Sequence, residues 1–502
     1  MSKSLAHRVF RGVEANLLAQ IAVVAVNFIV TPQLVRGLGT GAYGLFTLMW
    51  TLQEYLLLSS LGSILGTKQF TARLVSTHEK ARLGALLRAL LVFHVVVGVA
   101  AMAVGYYTRN WFAYHLAESS SGLLGDAAWV FGCVAAGTPA YFIFNFTASI
   151  VYGQQRMRTL NALVSVHGLS MAIISAVLLH KGYGLAEIGI AYAWVQALFA
   201  LFSAWLAREA LFARGKAFSM KDLRDFIGFS LKGFLGQLAT TLSVQGDRLL
   251  VGKLLALTQL GYYAIASSLA GKFNTFCHSV TVTVFPMFTE LHATGQQARL
   301  RRFYLKTVQL SLFLLMPVAI MTFILAPQFL TLWLGADYSD AATWPLRLLV
   351  LSNFAFMGTQ LPANLAAGKG HPQYAGTLQV GKSLLALALW PVLIPRYGIL
   401  GAALGLLIAE WITAPLFLGY CNKRFLGLGW LEFSSALWRP AAAGGLLAAV
   451  GLLSHARIQT WGAFVLYGCA GMLFYFGVGS ILLEREARGQ FLDWLKEKFN
   501  RV

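Results

Sequence analysis

The sequence predicts an all-α polytopic membrane protein with about 14 transmembrane helices, and three observations carry that expectation. Of the 502 residues 58% are hydrophobic and only 12% are charged, whereas soluble domains average about 25% charged residues. The apolar residues gather into runs long enough to cross about 30 Å of hydrocarbon. The basic residues then fall mainly in every second loop between those runs.

The basic segment 1–13 leads into a run holding Gln20, Asn27 and Pro32, with no small-residue cleavage site followed by a polar mature chain. That run, 14–36, is read as an uncleaved first span and not as a signal peptide. The spans that follow are 42–66, 83–107, 126–152, 159–180, 185–207, 226–254, 260–287, 304–326, 343–366, 374–395, 398–420, 438–454 and 461–482. Pro32, Pro139, Pro317, Pro391 and Pro415 lie inside spans. Proline kinks a helix by removing one backbone bond, which membrane helices tolerate. Four cysteines lie in or beside apolar runs without metal-ligand spacing and read as small core residues.

Net charge is +20. Taken with the N-terminus, alternate loops and the C-terminus hold 28 of the 39 Lys and Arg, the opposite set holds 6, and the rest lie within spans. This places both termini in the cytoplasm. It also spreads the positive charge along a membrane face, which excludes nucleic acid as a partner.

A repeat runs through the chain. Gly44 and Leu52 correspond to Gly261 and Leu269, and Ala81-Arg82-Leu83 to Ala298-Arg299-Leu300, all at an offset of 217; Tyr183-Gly184 corresponds to Tyr397-Gly398 at 214. Each match is weak alone, but they fall at equivalent places, so spans 1–6 and 7–12 read as two copies. Six is even, so both copies enter from the same side and form a parallel repeat. The expected organisation is an N-lobe at 1–208, a cytoplasmic linker at 209–225, a C-lobe at 226–420, and spans 13 and 14 with a cytoplasmic tail at 421–502.

The stretches "TPQLVRGLGTGAYGLFTLMWTL", "GDRLLVGKLLALTQLGYYAIASSL" and "VFPMFTELHATGQQARLRRFYLK" resemble polysaccharide-biosynthesis (O-antigen) flippases of the Wzx type, in the multidrug/oligosaccharidyl-lipid/polysaccharide exporter superfamily. The resemblance implies movement of polyprenyl-diphosphate-linked oligosaccharides between leaflets of a bacterial inner membrane. It also implies a V-shaped pair of six-helix lobes around a charged cavity. Two departures stand out. Lipid II flippases carry arginines along the first helix, where this chain has none between Arg11 and Arg36. Some drug exporters use an aspartate there, where this chain has only Glu14 at the edge.

Charged residues inside spans are costly and usually face water or a partner. Glu54 and Lys272 each lie 12 positions into spans two and eight, roughly 18 Å deep. Lys272 suits a diphosphate or acidic sugar as a compact point charge; a structural ion pair is the alternative. Arg248 offers a second phosphate contact or snorkels outward, and Lys382 lies in the inner half of span eleven. Glu54, Asp247 and Glu410 are the ion-coupling candidates, since desolvation moves a carboxyl toward neutral-range titration. Asp247 and Arg248 point about 100° apart on a helix and need not pair with each other. Arg88 and Arg347, near span ends, read as snorkelling; His94, His167 and His278 read as neutral, hydrogen-bonded histidines. Trp50 and Tyr55 are candidates for sugar stacking.

An enzyme is not expected. Asp337 and Asp340 in "GADYSDAA" read as a turn rather than a metal site, and no phosphate-cradling Gly-lysine loop is present. The expected function is alternating-access flipping, with the head group in a cationic cavity between spans 1, 2, 7 and 8. The runner-up is an ion-coupled small-molecule exporter, ahead of a membrane polysaccharide polymerase. No cofactor is expected beyond a coupling H+ or Na+. Expected partners are the lipid-linked glycan, membrane lipids, and a polymerase and glycosyltransferases.

Overall fold

The computed structural model describes residues 22–77, 79–117, 122–213, 220–371, 373–454 and 458–482. Glu14, Glu118, Arg457, the N-terminal basic segment and the C-terminal tail lie outside the described residues, as do the side chains of Cys277 and His278. Every described element is helical: α1 (Ala22–Leu38), α2 (Thr40–Leu57), α3 (Ser63–Ser76), α4 (Lys80–Ala117), α5 (Leu124–Gly153), α6 (Met157–His180), α7 (Leu185–Leu211), α8 (Met220–Leu254), α9 (Leu257–Ala293), α10 (Gln297–Leu334), α11 (Ala336–Gly368), α12 (Gln373–Tyr397), α13 (Ile399–Cys421), α14 (Trp430–Ser454) and α15 (Trp461–Leu482). In hydrocarbon only intrasegment bonding satisfies every backbone group, which is why apolar runs of this length fold as helices.

Among the described residues nine helices, α4–α7, α10 and α12–α15, are long and apolar enough to cross a membrane by length and composition. The chain is an all-helical polytopic membrane protein. The long helices outside that group, α8, α9 and α11, carry Asp247, Arg248, Lys272 and Arg347. Of these, Asp247, Arg248 and Lys272 are also candidates for function.

Three sequence expectations are corrected. The run 42–66 is not one helix: α2 passes through a 3₁₀ turn at Leu58–Ser60 and breaks at Leu61 and Gly62, with φ of 52° and 75°. Glycine is required there, because a Cβ on Gly62 would sit 2.2 Å from the Ser230 carbonyl oxygen. The loop expected at 108–125 is helical to Ala117; no helix breaker interrupts it, and Arg109 stays in register with its guanidinium 3.9 Å from the Tyr106 ring centroid. The loop expected at 327–342 is a single residue, Gly335 (φ 107°), between α10 and α11. Asp337 therefore lies in the first turn of α11, where a carboxylate complements the helix dipole.

Two compact units divide at Gly261/Tyr262. The first has a core of Phe70, Leu83, Leu87, Phe146, Ile150 and Phe226, drawn from α3, α4, α5 and α8. In the second, Phe288, Leu300, Tyr304, Phe417 and Phe425 form one cluster, and Phe313, Met321, Leu447 and Tyr475 join α10 to α14 and α15 in another.

Prolines are absorbed inside helices, as expected of Pro139, Pro317, Pro391 and Pro415. Pro327 shows how. It has no N–H for the Phe323 carbonyl one turn back, and Arg347 Nε donates to that oxygen at 2.8 Å. Arg347 is anchored there, with Phe323 and Trp344 rings about 5 Å away. Arg88 likewise donates to the carbonyls of Leu211 and Ala213 at the end of α7, at 3.1 and 2.9 Å.

Candidate functional site

The sequence candidates fall into two groups, one in each unit. In the first unit Glu54 is half-buried on α2, and the Tyr141 hydroxyl of α5 donates to its Oε1 at 2.6 Å. Its neighbour Gln53 accepts from Tyr192 of α7. Trp50 packs against the Tyr192 ring edge-on at 5.3 Å, so it is core material on that face. His167 Nε2 meets Gln196 Oε1 at 3.0 Å. His94 is bonded at both nitrogens, to Ser63 Oγ at 2.9 Å and the Leu90 carbonyl at 2.7 Å. Among the described residues the span histidines are thus held in hydrogen bonds.

Asp247 is buried on α8, and its Oδ1 accepts the Arg248 backbone N–H at 2.7 Å. It lies within electrostatic reach of Tyr55 of α2, whose buried hydroxyl has no hydrogen-bond partner among the described residues. Arg248 is half-buried; its Nη1 reaches Gln245 Oε1 at 3.4 Å, and Thr51 Oγ1 approaches the same oxygen at 3.4 Å. The Asp247 carboxylate thus meets the Arg248 backbone, while the Arg248 guanidinium reaches Gln245.

In the second unit Lys382 and Glu410 come together. Lys382 Nζ donates to Glu410 Oε1 at 2.6 Å, with both side chains buried, and the ammonium lies 4.4 Å from the Phe356 ring centroid. Among the described residues Glu410 Oε2 has no hydrogen-bond partner. Lys272 on α9 stands differently. It is exposed, and among the described residues it has neither a carboxylate nor a hydrogen-bond partner. The helix beside it is fixed: Asn274 Nδ2 donates to Asn353 Oδ1, and Asn353 Nδ2 to the Ala270 carbonyl, both at 2.9 Å. Sequence reasoning missed Tyr141, Tyr192, Gln245 and Asn353. The signal available was a polar residue in an apolar run, as at Gln53 and Asn353.

No group of three or more metal-ligating side chains occurs among the described residues.

The helix starts carry a reciprocal contact. A Cβ on Gly44 would lie 2.2 Å from the Leu257 carbonyl oxygen, and one on Gly261 would lie 2.3 Å from that of Thr40. Gly44 pairs with Gly261, and Thr40 with Leu257, at the 217-residue offset. The loops before α4 and α10 match in the same register. Thr77 Oγ1 donates to Glu79 Oε1 at 2.9 Å and Arg82 Nη1 to Glu79 Oε2 at 2.7 Å. In the second copy Gln296 joins Thr294 at 3.1 Å and Arg299 at 3.2 Å. Arg82 also makes a two-pronged contact with Asp222 of α8, its Nε reaching Oδ2 at 2.8 Å.

The hydrogen bond from Arg82 holds the Glu79 carboxyl below its ordinary range. A lowered carboxyl pKa gives an interaction present at neutral pH and lost as pH falls through the folded value. Acidification should therefore release the Glu79 contact while leaving Gln296–Arg299 intact. Hydrogen exchange at the two loops, compared between pH 7 and a buffer below the ordinary carboxylate range (under about pH 4), measures this; equal loosening of both would contradict it.

The profile of the polysaccharide biosynthesis protein family matches residues 34–343. A candidate O-antigen transporter of Shigella flexneri is 19% identical over 385 residues, covering 76% of this chain and 90% of that protein. Solved structures share the fold. The lipid II flippase MurJ in its inward closed conformation aligns with a TM-score of 0.73 at 14% identity, over 93% of this chain and 98% of its own. An inward-facing multidrug resistance transporter of the MATE family aligns at 0.69 and 13% identity, over 85% and 99%. A Pyrococcus furiosus transporter of the same MOP superfamily aligns at 0.58 and 14%, over 82% and 94%.

Proposed function

Because the chain belongs to the polysaccharide biosynthesis protein family, we propose that it is a flippase for polyprenyl-diphosphate-linked oligosaccharide. It carries this substrate from the cytoplasmic to the outer leaflet of a bacterial inner membrane, for surface polysaccharide assembly. The observation that carries this reading is Lys272. It is an exposed ammonium deep in a long helix, with no carboxylate partner among the described residues. Such a charge is tolerated where water or an anionic ligand meets it, and a diphosphate is such a ligand.

In this reading the chain crosses the membrane 14 times, as a parallel six-plus-six repeat followed by two further helices, with both termini in the cytoplasm. The Gly44/Gly261 pair supports the repeat, since at the 217-residue offset each glycine stands where a Cβ would meet a backbone carbonyl oxygen. The matched Thr77–Glu79–Arg82 and Thr294–Gln296–Arg299 loops support it independently. Transport is by alternating access. Lys272 and Arg248 hold the head group while the polyprenyl tail stays in lipid. Lys382 joins them when Glu410 takes up a proton and frees the ammonium. Glu54, linked to Tyr141, and Asp247, beside Tyr55, are further acids for a coupling H+ or Na+. The polymerase and glycosyltransferases of the same assembly route are the protein partners, and the chain itself performs no bond chemistry.

Lys272→Ala should reduce surface glycan about tenfold to a hundredfold, the worth of a charged hydrogen bond, with drug tolerance unchanged. Lys272→Arg should keep part of the activity, because the charge remains although the geometry differs. Surface glycan and tolerance to toxic cations are measured in the same cells. Normal glycan with lost tolerance would favour a small-molecule exporter and overturn the flippase reading.

A further inference from the structure

The second unit holds two adjoining cavities that the transport reading does not use. The first is an apolar groove of about 340 Å³ between α10, α11, α13 and α14, lined by Met316, Phe354, Gly358, Trp411, Leu418 and Trp430. The second, also about 340 Å³, lies at the turn from α13 to α14 and is lined by Gly419, Asn422, Lys423, Gly427–Gly429 and Trp430. Trp430 walls both. Its ring lies against α13 because Gly419 has no side chain: a Cβ there would sit 2.8 Å from Trp430 Cζ2.

The second cavity is built for an anion. A π-helical turn at Asn422–Leu426 follows α13, a geometry found often at functional sites. It turns Asn422 inward, where its Oδ1 accepts from the Tyr304 hydroxyl at 2.7 Å. That fixes the amide and leaves its donor end, Nδ2, without a partner among the described residues. Lys423 turns outward and is exposed; among the described residues neither it nor Arg424 has a carboxylate partner. Glu432 is held by Arg301, and its Oε2 also accepts from the Gly429 N–H at 3.4 Å.

We propose that these two cavities form one binding site for an anionic phospholipid, its phosphate held by Lys423 and Asn422 Nδ2 and one acyl chain lying in the groove beyond Trp430. Three features favour this occupant. The groove is lined almost wholly by apolar groups and opens past exposed Trp411 and Trp430, as a hydrocarbon chain requires. Basic pockets between helices on the cytoplasmic side take anionic head groups, and tryptophan favours the interfacial level. The head cavity, at about 340 Å³, has room for a phosphodiester and its glycerol. The assignment to the cytoplasmic leaflet rests on the orientation proposed above.

The test uses the full chain in nanodiscs of phosphatidylcholine doped with phosphatidylglycerol, with retained lipid counted by native mass spectrometry. Transport plays no part in the readout, so failure of the flippase reading leaves it interpretable. The wild type should retain phosphatidylglycerol over phosphatidylcholine. Lys423→Ala should lower that preference about fivefold, the usual worth of one basic residue at an anionic surface, and Lys423→Arg should restore it. Ala441→Phe, which fills the groove from its open side, should lower retention of both lipids. Unchanged preference in Lys423→Ala would overturn the proposal. So would displacement of phosphatidylglycerol from the wild type by an equal amount of polyprenyl phosphate, since the site would then belong to the substrate.

Discussion

Glu410→Ala should destabilise the protein by about 3–5 kcal/mol, because it strands a buried ammonium. Lys382 and Glu410 are 9% and 5% exposed and joined at 2.6 Å. Removing the carboxylate leaves Lys382 with the face of Phe356 and nothing to neutralise it. The double variant Lys382→Met/Glu410→Leu replaces the pair with apolar groups of similar size. Breaking one partner of such a pair is costly, while replacing both is often neutral. The double variant should therefore regain most of the stability that Glu410→Ala loses, as read by thermal unfolding in detergent. It also separates structure from function. A stable double variant with normal glycan export would confine the pair to a structural role and remove Lys382 and Glu410 from the transport proposal.

The second large effect is expected at the glycine contact. Gly44→Ala and Gly261→Ala each place a methyl group about as far into a carbonyl oxygen of the facing helix, at 2.2 and 2.3 Å. Neither obstacle is the flexible end of a side chain, so α2 and α9 must move apart. Overpacking of this kind costs about 1–3 kcal/mol. The two variants should be alike in cost, because the contact is reciprocal. Their effects should also add incompletely, since separation forced by one relieves the other. Thermal unfolding of both singles and the double checks this. Full additivity would mean that the two contacts are independent, and unequal costs would remove one support for the repeat.

Much of this was legible in the sequence, for identifiable reasons. Lipid imposes helices, so apolar runs locate helices but not their ends: α4 continues to Ala117, well past the expected 107. Gly44 and Gly261 could be matched because close backbone approach admits only glycine. Misreadings came where local chemistry overrode pattern. The break at Leu61 and Gly62 depends on the Ser230 backbone of α8, far along the chain. The single-residue connection at Gly335 was hidden because "GADYSDAA" has turn-like composition, yet it opens a helix.

The Lys382–Glu410 pair was within reach. The two residues flank Gly398, which joins α12 to α13, at comparable distances in sequence, and antiparallel neighbours bring such positions to one depth. Tyr141 and Tyr192 were not within reach. Their partners Glu54 and Gln53 lie 87 and 139 residues away, and a tyrosine in an apolar run gives no sign of what its hydroxyl meets. Lys272 was identified by depth alone; that it has no carboxylate partner among the described residues became visible only with its surroundings.

The most direct test of flipping uses the purified full chain reconstituted into vesicles with a polyprenyl-diphosphate-linked oligosaccharide in both leaflets. A membrane-impermeant glycosidase is added outside, and the glycolipid that survives is measured over time. The account predicts that wild-type vesicles lose nearly all of it, while Lys272→Ala vesicles keep the inner-leaflet share protected. Persistent protection of that share by the wild type, under either direction of an imposed ion gradient, would contradict it.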